Sequence, residues 1–340
     1  MTGIKHSNGY KIDDVLPTPE PEMVGPSIAP QSVKINLETI LSAVRPIKSN
    51  IPVDCYSAAT LGTQREGNAV LIDKEGLFLT IGYLLVEATD ILIGGLEEKV
   101  LHAQAVGYDH ETGFGLLRSV ERPDFAPMQL ASDADHLVSE KKVIVAAHGG
   151  VRRALDARIA DRRLFAGSWE YMLESAIFTA PLHPSWSGAA LIDPETGFLC
   201  GIGSLFIQGP GENDKNEQGN MFVPIELLSP ILNDMIESGR RIGPSRPWLG
   251  MHLTEAMGHL VVSSVFDNGP ADRADIRPGD VIDHIEDQFV DTLELYYRNL
   301  WSTGEAGASV KLGIIRGTSG SDIFVRSGNR HDFYKLPQKH

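Results

Sequence analysis

The feature that most constrains the fold of this chain is a series of short apolar runs between residues 51 and 210, each closed by a turn signal. The apolar residues 69–72, for example, are followed by the polar, glycine-ended segment 73–76 and then by the apolar residues 77–80. Similar runs recur at residues 91–93, 100–106, 114–117, 143–147, 176–179, 189–192 and 198–207. Many short strands with turns about every 8–12 residues are typical of an all-β barrel or sandwich, and not of alternating β–α units.

The hydrophobic periodicity becomes helical after these runs. Apolar residues at helical spacing predict a helix around residues 225–239, closed by Gly239. Residues 240–247 contain glycine and proline and predict a linker to a second, smaller domain. Within that domain we expect a helix over residues 293–301, capped by Thr292. The same domain shows five predicted strands, at residues 249–253, 260–266, 281–285, 309–315 and 322–326.

Length and charge restrict the class of protein. The 340 residues exceed what one hydrophobic core usually serves, so two domains are expected. The 30 basic and 45 acidic residues give a net charge of −15, which disfavours nucleic acids and anionic membranes as partners. No apolar run approaches the roughly 20 residues of a membrane span. Residues 1–15 lack the apolar core of a secretory signal, and we therefore expect a cytoplasmic protein.

The N-terminal segment and the two cysteines add little chemistry. Residues 1–32 contain five prolines, which predict an extended or disordered arm. Cys55 and Cys200 are far apart and have apolar neighbours, so both are expected to be buried free thiols. Because no Cys/His spacing fits a metal, we expect neither a metal nor a cofactor.

Three segments of the chain occur in the order and spacing found in one protease family. Residues 183–191 (HPSWSGAAL) look like the NPGNSGGPL stretch of the HtrA/Deg serine proteases, and residues 219–225 (GNMFVPI) are similar to the family's GFAIP strand. Residues 269–282 (GPADRADIRPGDVI) match most of the PDZ pattern SPAxxAGLxxGDxI. The resemblance implies an all-β chymotrypsin-like double β-barrel, which is the peptidase S1-like fold, followed by a PDZ domain. The implied domain boundaries are residues 33–240, 246–329 and, for a tail, 330–340.

The resemblance also places the family's catalytic triad on this chain. Ser187 stands at the position of the nucleophile. The family's histidine lies in LTNxHVV, matched here by residues 79–85, so that Tyr83 occupies the histidine position. The aspartate lies in TDLAVL, matched by residues 112–117, so that Gly113 occupies its position. A phenol with a pKa of about 10 keeps its proton at neutral pH, and glycine has no side chain. Ser187 is therefore expected to be a vestigial nucleophile with a local structural role.

Other residues near the triad positions leave alternatives open. Ser185 replaces a glycine of the family's oxyanion loop, and Trp186 places a bulky ring next to Ser187. Asp109 matches an aspartate that the family carries in addition to its catalytic one, so no catalytic role is assigned to it. Four histidines are candidate replacement bases, although each has the plainer interpretation of a loop or surface residue: His102, His110, His148 and His183.

The PDZ-like domain keeps more of what its function needs. PDZ domains bind an extended C-terminal peptide as an added strand and hold its carboxylate with backbone N–H groups. The predicted peptide-binding residues are Trp248, Leu249, Gly250, Met251, His252 and Leu253. A basic cluster beside them suits either a carboxylate or a charged linker; it consists of Arg240, Arg241 and Arg246. Asp275 stands where the family has glycine and is expected to be left-handed.

These observations support two hypotheses of different kinds. The first is a catalytically inactive serine protease homologue, or pseudoprotease, that binds peptides or protein subunits through its PDZ domain and its protease-fold surface. The alternative is an active serine endopeptidase that uses Ser187 with an unorthodox base or one from a partner chain. A third idea is a regulatory subunit that assembles with an active paralogue. The family resemblance further implies a homotrimer, and the peptide C-terminus is the partner that the PDZ domain would recognise.

Overall fold

The computed structural model describes residue 15 and residues 35–97, 99–211 and 216–335, which form two compact units. The first unit contains the described residues up to Arg163 together with Ser175–Ile242, and the second contains Leu164–Glu174 and Gly243–Lys335. Apart from Val15, the predicted N-terminal arm lies outside the described residues, as do residues 336–340 of the predicted tail.

The first unit contains two six-stranded barrels. Strands of the first barrel are β1 (Val44–Asn50), β2 (Gln64–Leu71), β3 (Leu77–Ile81), β4 (Asp90–Gly94), β5 (Val100–Tyr108) and β6 (Phe114–Ser119). They close in the order β1-β2-β3-β6-β5-β4, with every neighbouring pair antiparallel. All five residues of β3 are buried, which explains why four of them are apolar.

The second barrel repeats this arrangement. Its strands are β7 (Lys142–Ala146), β8 (Ala154–Gly167), β9 (Tyr171–Ala180), β10 (Ala190–Ile192), β11 (Leu199–Gln208) and β12 (Gln218–Pro224). They close in the order β10-β11-β12-β9-β8-β7 around a core that includes Val145, Ile177 and Phe222. Closing the sheets leaves no unpaired edge in either barrel. The prediction of an all-β double barrel is confirmed.

Short helices connect and close the barrels. These are α1 (Leu37–Leu41), α2 (Ala58–Leu61) and α3 (Leu232–Ser238). The predicted helix at residues 225–239 is only partly regular, because a 3₁₀ turn over Ile225–Leu227 precedes α3. Its predicted end is confirmed: Gly239 is left-handed at φ 75°, and its N–H donates to the carbonyl of Met235. No described helix is long and apolar enough to cross a membrane.

The second unit is a small sheet with two helices. Its elements are β13 (Met251–Ala256), β14 (His259–Val265), α4 (Pro270–Arg273), β15 (Val281–Ile285), β16 (Gln288–Phe289), α5 (Leu293–Ser302), β17 (Ser309–Arg316) and β18 (Ser319–Arg326). The sheet has the order β13-β14-β15-β17-β18, and β16 pairs with β15. Thr292 caps α5 by accepting the N–H of Leu295, and Asp275 is left-handed at φ 61°. Both predictions are confirmed.

The second unit is larger than the predicted residues 246–329. A 3₁₀ turn over Arg330–Phe333 belongs to it, and the ring of Phe333 packs on Trp248 with centroids 4.7 Å apart. Leu164–Glu174, which the sequence analysis placed in the first domain, also lies in the second unit. These residues are the end of the β8–β9 hairpin, which turns at residues 168–170 with Glu170 at φ 56°. We call residues 164–174 the hairpin tip.

Candidate functional site

The loop that carries Ser187 is fixed by Asn68 of β2. The backbone N–H of Asn68 donates to the carbonyl of Ser187 at 2.8 Å, and its side-chain amide donates to the carbonyls of Ser185 and Ser187, each at 3.0 Å. Gly188 then adopts φ 71°, and a Cβ atom there would lie 1.9 Å from the carbonyl oxygen of Asn68. Since no side chain fits at that distance, this turn requires glycine.

The hydroxyl of Ser187 meets the phenol of Tyr83. Tyr83 lies in the 3₁₀ turn that follows β3, and its Oη donates to Ser187 Oγ at 2.7 Å. The same Oη lies 3.2 Å from the carbonyl oxygen of Ser204. Burial raises the pKa of Tyr83 to about 12, against the opposing effect of the hydrogen bond to Ser187. At neutral pH Tyr83 is therefore a hydrogen-bond donor to Ser187 and not a proton acceptor.

Gly113 contributes only backbone atoms to the surroundings of Tyr83 and Ser187. It occupies the turn between β5 and β6 at φ 86°, and its carbonyl accepts the N–H of Gly82 at 2.7 Å. Gly82 directly precedes Tyr83 in the chain. The structure thus brings the three predicted triad positions close together, with a hydroxyl, a phenol and a bare backbone in place of a hydroxyl, an imidazole and a carboxylate.

The buried carboxylate of Asp109, four residues before Gly113, has other partners. Asp109 is 3% exposed, and its Oδ2 accepts the N–H and the hydroxyl of Thr112 at 2.9 and 2.8 Å. Arg241 donates to both carboxylate oxygens, at 3.0 and 3.3 Å. These contacts hold the β5–β6 turn and neutralise the buried charge, which supports the interpretation that Asp109 has no catalytic role.

His183 lies in the same loop as Ser187 and uses both ring nitrogens elsewhere. Its Nδ1 accepts the N–H of Ser185 at 3.1 Å, so Nε2 carries the proton and donates to the carbonyl of Arg153 at 3.0 Å. Burial lowers the pKa of His183 to about 4 and keeps the ring neutral. The N–H of Ser185 stands where the family resemblance places an oxyanion donor, and this contact occupies it.

The other candidate bases also have defined contacts. Asn68 Oδ1 lies 3.0 Å from Nδ1 of His148 and accepts the N–H of His148 at 2.9 Å. His110 packs its ring against Tyr108, with centroids 4.6 Å apart, and His102 lies on β5, where its N–H donates to Glu121. Among the described residues, the hydroxyl of Ser187 is hydrogen-bonded to Tyr83 and to no imidazole.

In the part of the chain that the structure describes, neither the cysteines nor the acidic side chains form a metal site. Cys55 and Cys200 are buried thiols that form no disulfide, as predicted. Within the described ranges, no group of three or more His, Cys, Asp or Glu side chains is placed to hold an ion.

The second candidate site is a ring of backbone N–H groups at the start of β13. We call residues 248–251 the carboxylate loop. The N–H groups of Leu249, Gly250 and Met251 converge on the carboxylate of Glu170, at donor–acceptor distances of 3.0, 2.7 and 3.2 Å. Gly250 is left-handed at φ 77°, which lets the three N–H groups point to one side. The predicted loop therefore binds a carboxylate in this structure, and that carboxylate belongs to the hairpin tip.

The remaining predicted peptide-binding residues support the loop or bond to the hairpin tip. Trp248 exchanges two backbone hydrogen bonds with Gly328, at 3.1 and 2.9 Å. His252 packs its ring on Phe266 with centroids 5.3 Å apart, and burial lowers the pKa of His252. Leu253 donates its backbone N–H to the carbonyl of Ser168 in the hairpin tip at 3.0 Å.

Sequence reasoning missed two residues that organise these sites. Asn68 follows a polar stretch of β2, and nothing local distinguishes it from a surface asparagine. Glu170 follows Trp169 at a turn, where a solvated glutamate is the ordinary expectation; the structure shows it 7% exposed. Its partners are 79 to 81 residues away in sequence, so no spacing rule could have found them.

Comparison with known proteins agrees with this architecture. Residues 67–202 match the family model of the trypsin-like peptidase domain, and residues 247–326 match that of the PDZ domain. The chain is 25% identical over 232 residues to a probable periplasmic serine endoprotease DegP-like from Hahella chejuensis, covering 64% of this chain and 48% of the relative. It is 23% identical over 265 residues to the serine endoprotease DegS from Haemophilus influenzae, covering 75% of this chain and 76% of the relative.

Solved structures show the same fold. The HtrA-type protease AlgW with decapeptide superposes with a TM-score of 0.50 at 22% identity, over 87% of this chain and 99% of that chain. AlgW with tripeptide gives a TM-score of 0.50 at 21% identity, over 86% and 95%. The chain spans about half the length of the DegP-like curated relatives, for example 57% of the one from Pseudomonas putida.

The relatives contradict one prediction from the sequence. Both DegP-like proteins are named as periplasmic, so the expectation of a cytoplasmic location is wrong. That expectation relied on the lack of an apolar segment in residues 1–15, which is a weak guide to compartment. The two family matches agree with the double barrel and the smaller sheet of the structure. The chain therefore contains a region that matches the trypsin-like peptidase domain, followed by a region that matches the PDZ domain, and in this order of domains it is similar to serine endoproteases of the DegP and DegS kind.

Proposed function

We propose that this chain does not cleave peptide bonds and acts as a binding protein that recognises peptide or protein partners through its PDZ domain. The observation that carries the first half of the proposal is the hydrogen bond from Tyr83 to Ser187 Oγ, at 2.7 Å. A serine hydroxyl attacks an amide only when a neighbouring base takes its proton. Tyr83, with its pKa raised to about 12, gives a hydrogen bond at this position and takes no proton at neutral pH.

The size of the expected loss in kcat supports an inactive protein and not a slow protease. Loss of the general base from a serine triad lowers kcat on the order of a million-fold. His183, which is nearest in the loop, has its two ring nitrogens engaged by Ser185 and Arg153. Its contact with the N–H of Ser185 also removes a donor from the oxyanion position, a loss worth about 100- to 1000-fold in rate.

The second half of the proposal rests on the carboxylate loop. Three backbone N–H groups that converge on one carboxylate are the feature with which PDZ domains hold a peptide C-terminus. AlgW, which has the same fold, was solved with a decapeptide. We infer that the partner is a peptide with a free C-terminus or a protein subunit that presents one, and that it is met in the periplasm.

Covalent labelling tests the proposed inactivity. The full chain is incubated with a fluorophosphonate probe beside its Ser187→Ala variant, with trypsin as the positive control. We expect no labelling of Ser187 above the level of the variant, because no base raises the nucleophilicity of its hydroxyl. Labelling that is present in the natural chain and lost in Ser187→Ala would show that the serine is activated, and would favour an active endopeptidase.

A further inference from the structure

The carboxylate loop is already filled. Glu170 Oε1 accepts the N–H groups of Gly250 and Met251, and Oε2 accepts that of Leu249, at 2.7, 3.2 and 3.0 Å. We propose that Glu170 is an internal ligand of this loop, and that a peptide C-terminus enters the groove only by displacing the hairpin tip. This inference rests on the proposed peptide-binding function and specifies how that function is regulated.

The chemistry of the two ligands is the same. A glutamate side chain and a peptide C-terminus both present a carboxylate to the N–H groups, and charge-assisted hydrogen bonds of this kind are the strong ones. Three N–H groups cannot serve two carboxylates at once, and two like charges at one site repel each other. Binding of an external carboxylate and insertion of Glu170 are therefore mutually exclusive.

The hairpin tip also occupies a position that an added peptide strand would need. An incoming strand would pair its backbone with β13, an edge strand of the sheet that directly follows the carboxylate loop. Leu253 of β13 already donates its N–H to the carbonyl of Ser168, at 3.0 Å. The tip thus competes with a peptide at the carboxylate and at the backbone.

Several contacts from the PDZ residues hold the tip in place. The hydroxyl of Tyr297 in α5 donates to the carbonyl of Gly167 and accepts the N–H of Glu170, so that it spans the turn. Arg330 donates to the carbonyl of Trp169 at 3.0 Å. Apolar side chains of the tip pack on the core of the second unit, namely Leu164, Ala166 and Met172. The insertion is therefore a packed arrangement of the second unit and not a single surface contact.

The electrostatics of Glu170 make the stability of the insertion depend on pH. Burial raises the pKa of Glu170 to about 7, because loss of solvation outweighs the N–H groups of the loop and the positive charge of Arg330. The hydroxyls of Tyr296 and Tyr297 also interact with the Glu170 carboxylate. An extracted glutamate titrates near 4.5. Raising the pH from about 4.5 through 7 therefore favours release of the tip, since only the inserted side chain retains its proton there.

Hydrogen exchange on the full chain tests the internal ligand. We compare the natural chain with Glu170→Ala and with Glu237→Ala, which removes the same charge from an exposed position on α3. We expect the amides of Leu249, Gly250 and Met251 to exchange about tenfold faster or more in Glu170→Ala, and to be unchanged in Glu237→Ala. The amides of β17 serve as the internal reference for overall stability. Equal exchange at the loop amides in all three proteins would overturn the proposal.

A second variant protects the test against misfolding of the first. Tyr297→Phe removes only the hydroxyl that bonds Gly167 and Glu170, and it keeps the ring that fills the core. We expect it to speed exchange of the same three amides. Unchanged exchange in Tyr297→Phe together with unchanged exchange in Glu170→Ala would show that the loop is not closed by the tip.

Peptide binding tests the competition. The probe is an array of decapeptides with randomised last three residues, each made with a free C-terminal carboxylate and as the C-terminal amide. We expect Glu170→Ala to bind free-carboxylate peptides at least about tenfold more tightly than the natural chain, and not to bind the amides. Equal affinity of the natural chain and Glu170→Ala would refute the competition. If neither protein binds any peptide, the proposed peptide-binding function and the competition both fail, while the exchange experiment alone decides whether Glu170 is the internal ligand.

Discussion

Tyr83 Oη donates a hydrogen bond to Ser187 Oγ, with 2.7 Å between the two oxygens. This contact joins the turn after β3 to the loop before β10, and so links the two barrels of the first unit. A residue that occupies the position of a catalytic base in the family resemblance therefore has a structural role in the contact between the barrels. The role leads to a direct stability prediction.

Tyr83→Phe is expected to destabilise the chain by about 1 kcal/mol, the usual net value of one buried hydrogen bond. Ser187→Ala should have an effect of similar size. The double variant should cost less than the sum of the two, because both single changes remove the same interaction. Denaturant unfolding of the four proteins measures the coupling energy. Strict additivity of the two single effects would contradict an energetic link between Tyr83 and Ser187.

We expect the free energy of unfolding to depend on pH because His183 is buried in its neutral form. Its folded pKa of about 4 lies below the ordinary value of 6.5, so the unfolded chain binds the proton more tightly. The contribution of neutral His183 to the free energy of unfolding is therefore complete above pH 6.5. It is lost as the pH falls towards 4, by about 3 kcal/mol in total. Unfolding free energies measured from pH 7 to pH 4 should fall less steeply in His183→Gln. Parallel curves for the two proteins would mean that His183 is not held neutral.

Two left-handed glycines allow the stability loss from steric overlap to be distinguished from the loss from backbone strain. Gly188 adopts φ 71° with the carbonyl oxygen of Asn68 at 1.9 Å from a built Cβ atom, whereas Gly150 adopts φ 67° with nothing within 4 Å of it. Gly150→Ala is expected to lose about 1–2 kcal/mol from strain alone. Gly188→Ala should lose several kcal/mol more, because the loop must move away from Asn68. Thermal unfolding of both variants provides the comparison, and equal losses would show that the loop before β10 yields easily.

Local sequence features predicted local structure well. Thr292 and Gly239 mark helix ends through backbone chemistry that acts within a few residues, and Asp275 keeps the left-handed backbone of the glycine it replaces. The alternation of apolar runs and turns similarly predicted an all-β barrel or sandwich, because strand burial repeats along the chain, and the family resemblance narrowed this to two barrels. Features of this kind need no knowledge of distant partners.

The misses at the two sites and in the domain boundary depend on contacts between distant parts of the chain. Whether Glu170 is solvated or buried depends on N–H groups some 80 residues further along, and whether His183 is a free base depends on the carbonyl of Arg153. Assignment of the hairpin tip to the first domain failed for the same reason: strands β8 and β9 belong to a barrel, while their connecting end packs with the PDZ residues. The positions of Ser187 and of the carboxylate loop could be located from the sequence, but the side chains that contact them could not be predicted.

The internal position of Glu170 has a consequence for any assay of this protein. A ligand that belongs to the same chain acts at a fixed effective concentration, however dilute the solution is. Dilution therefore never empties the groove, and a partner with micromolar intrinsic affinity would register only as a weak binder. Screens on the isolated full chain will thus favour partners delivered in high local abundance, such as the clustered C-termini of a multimeric assembly.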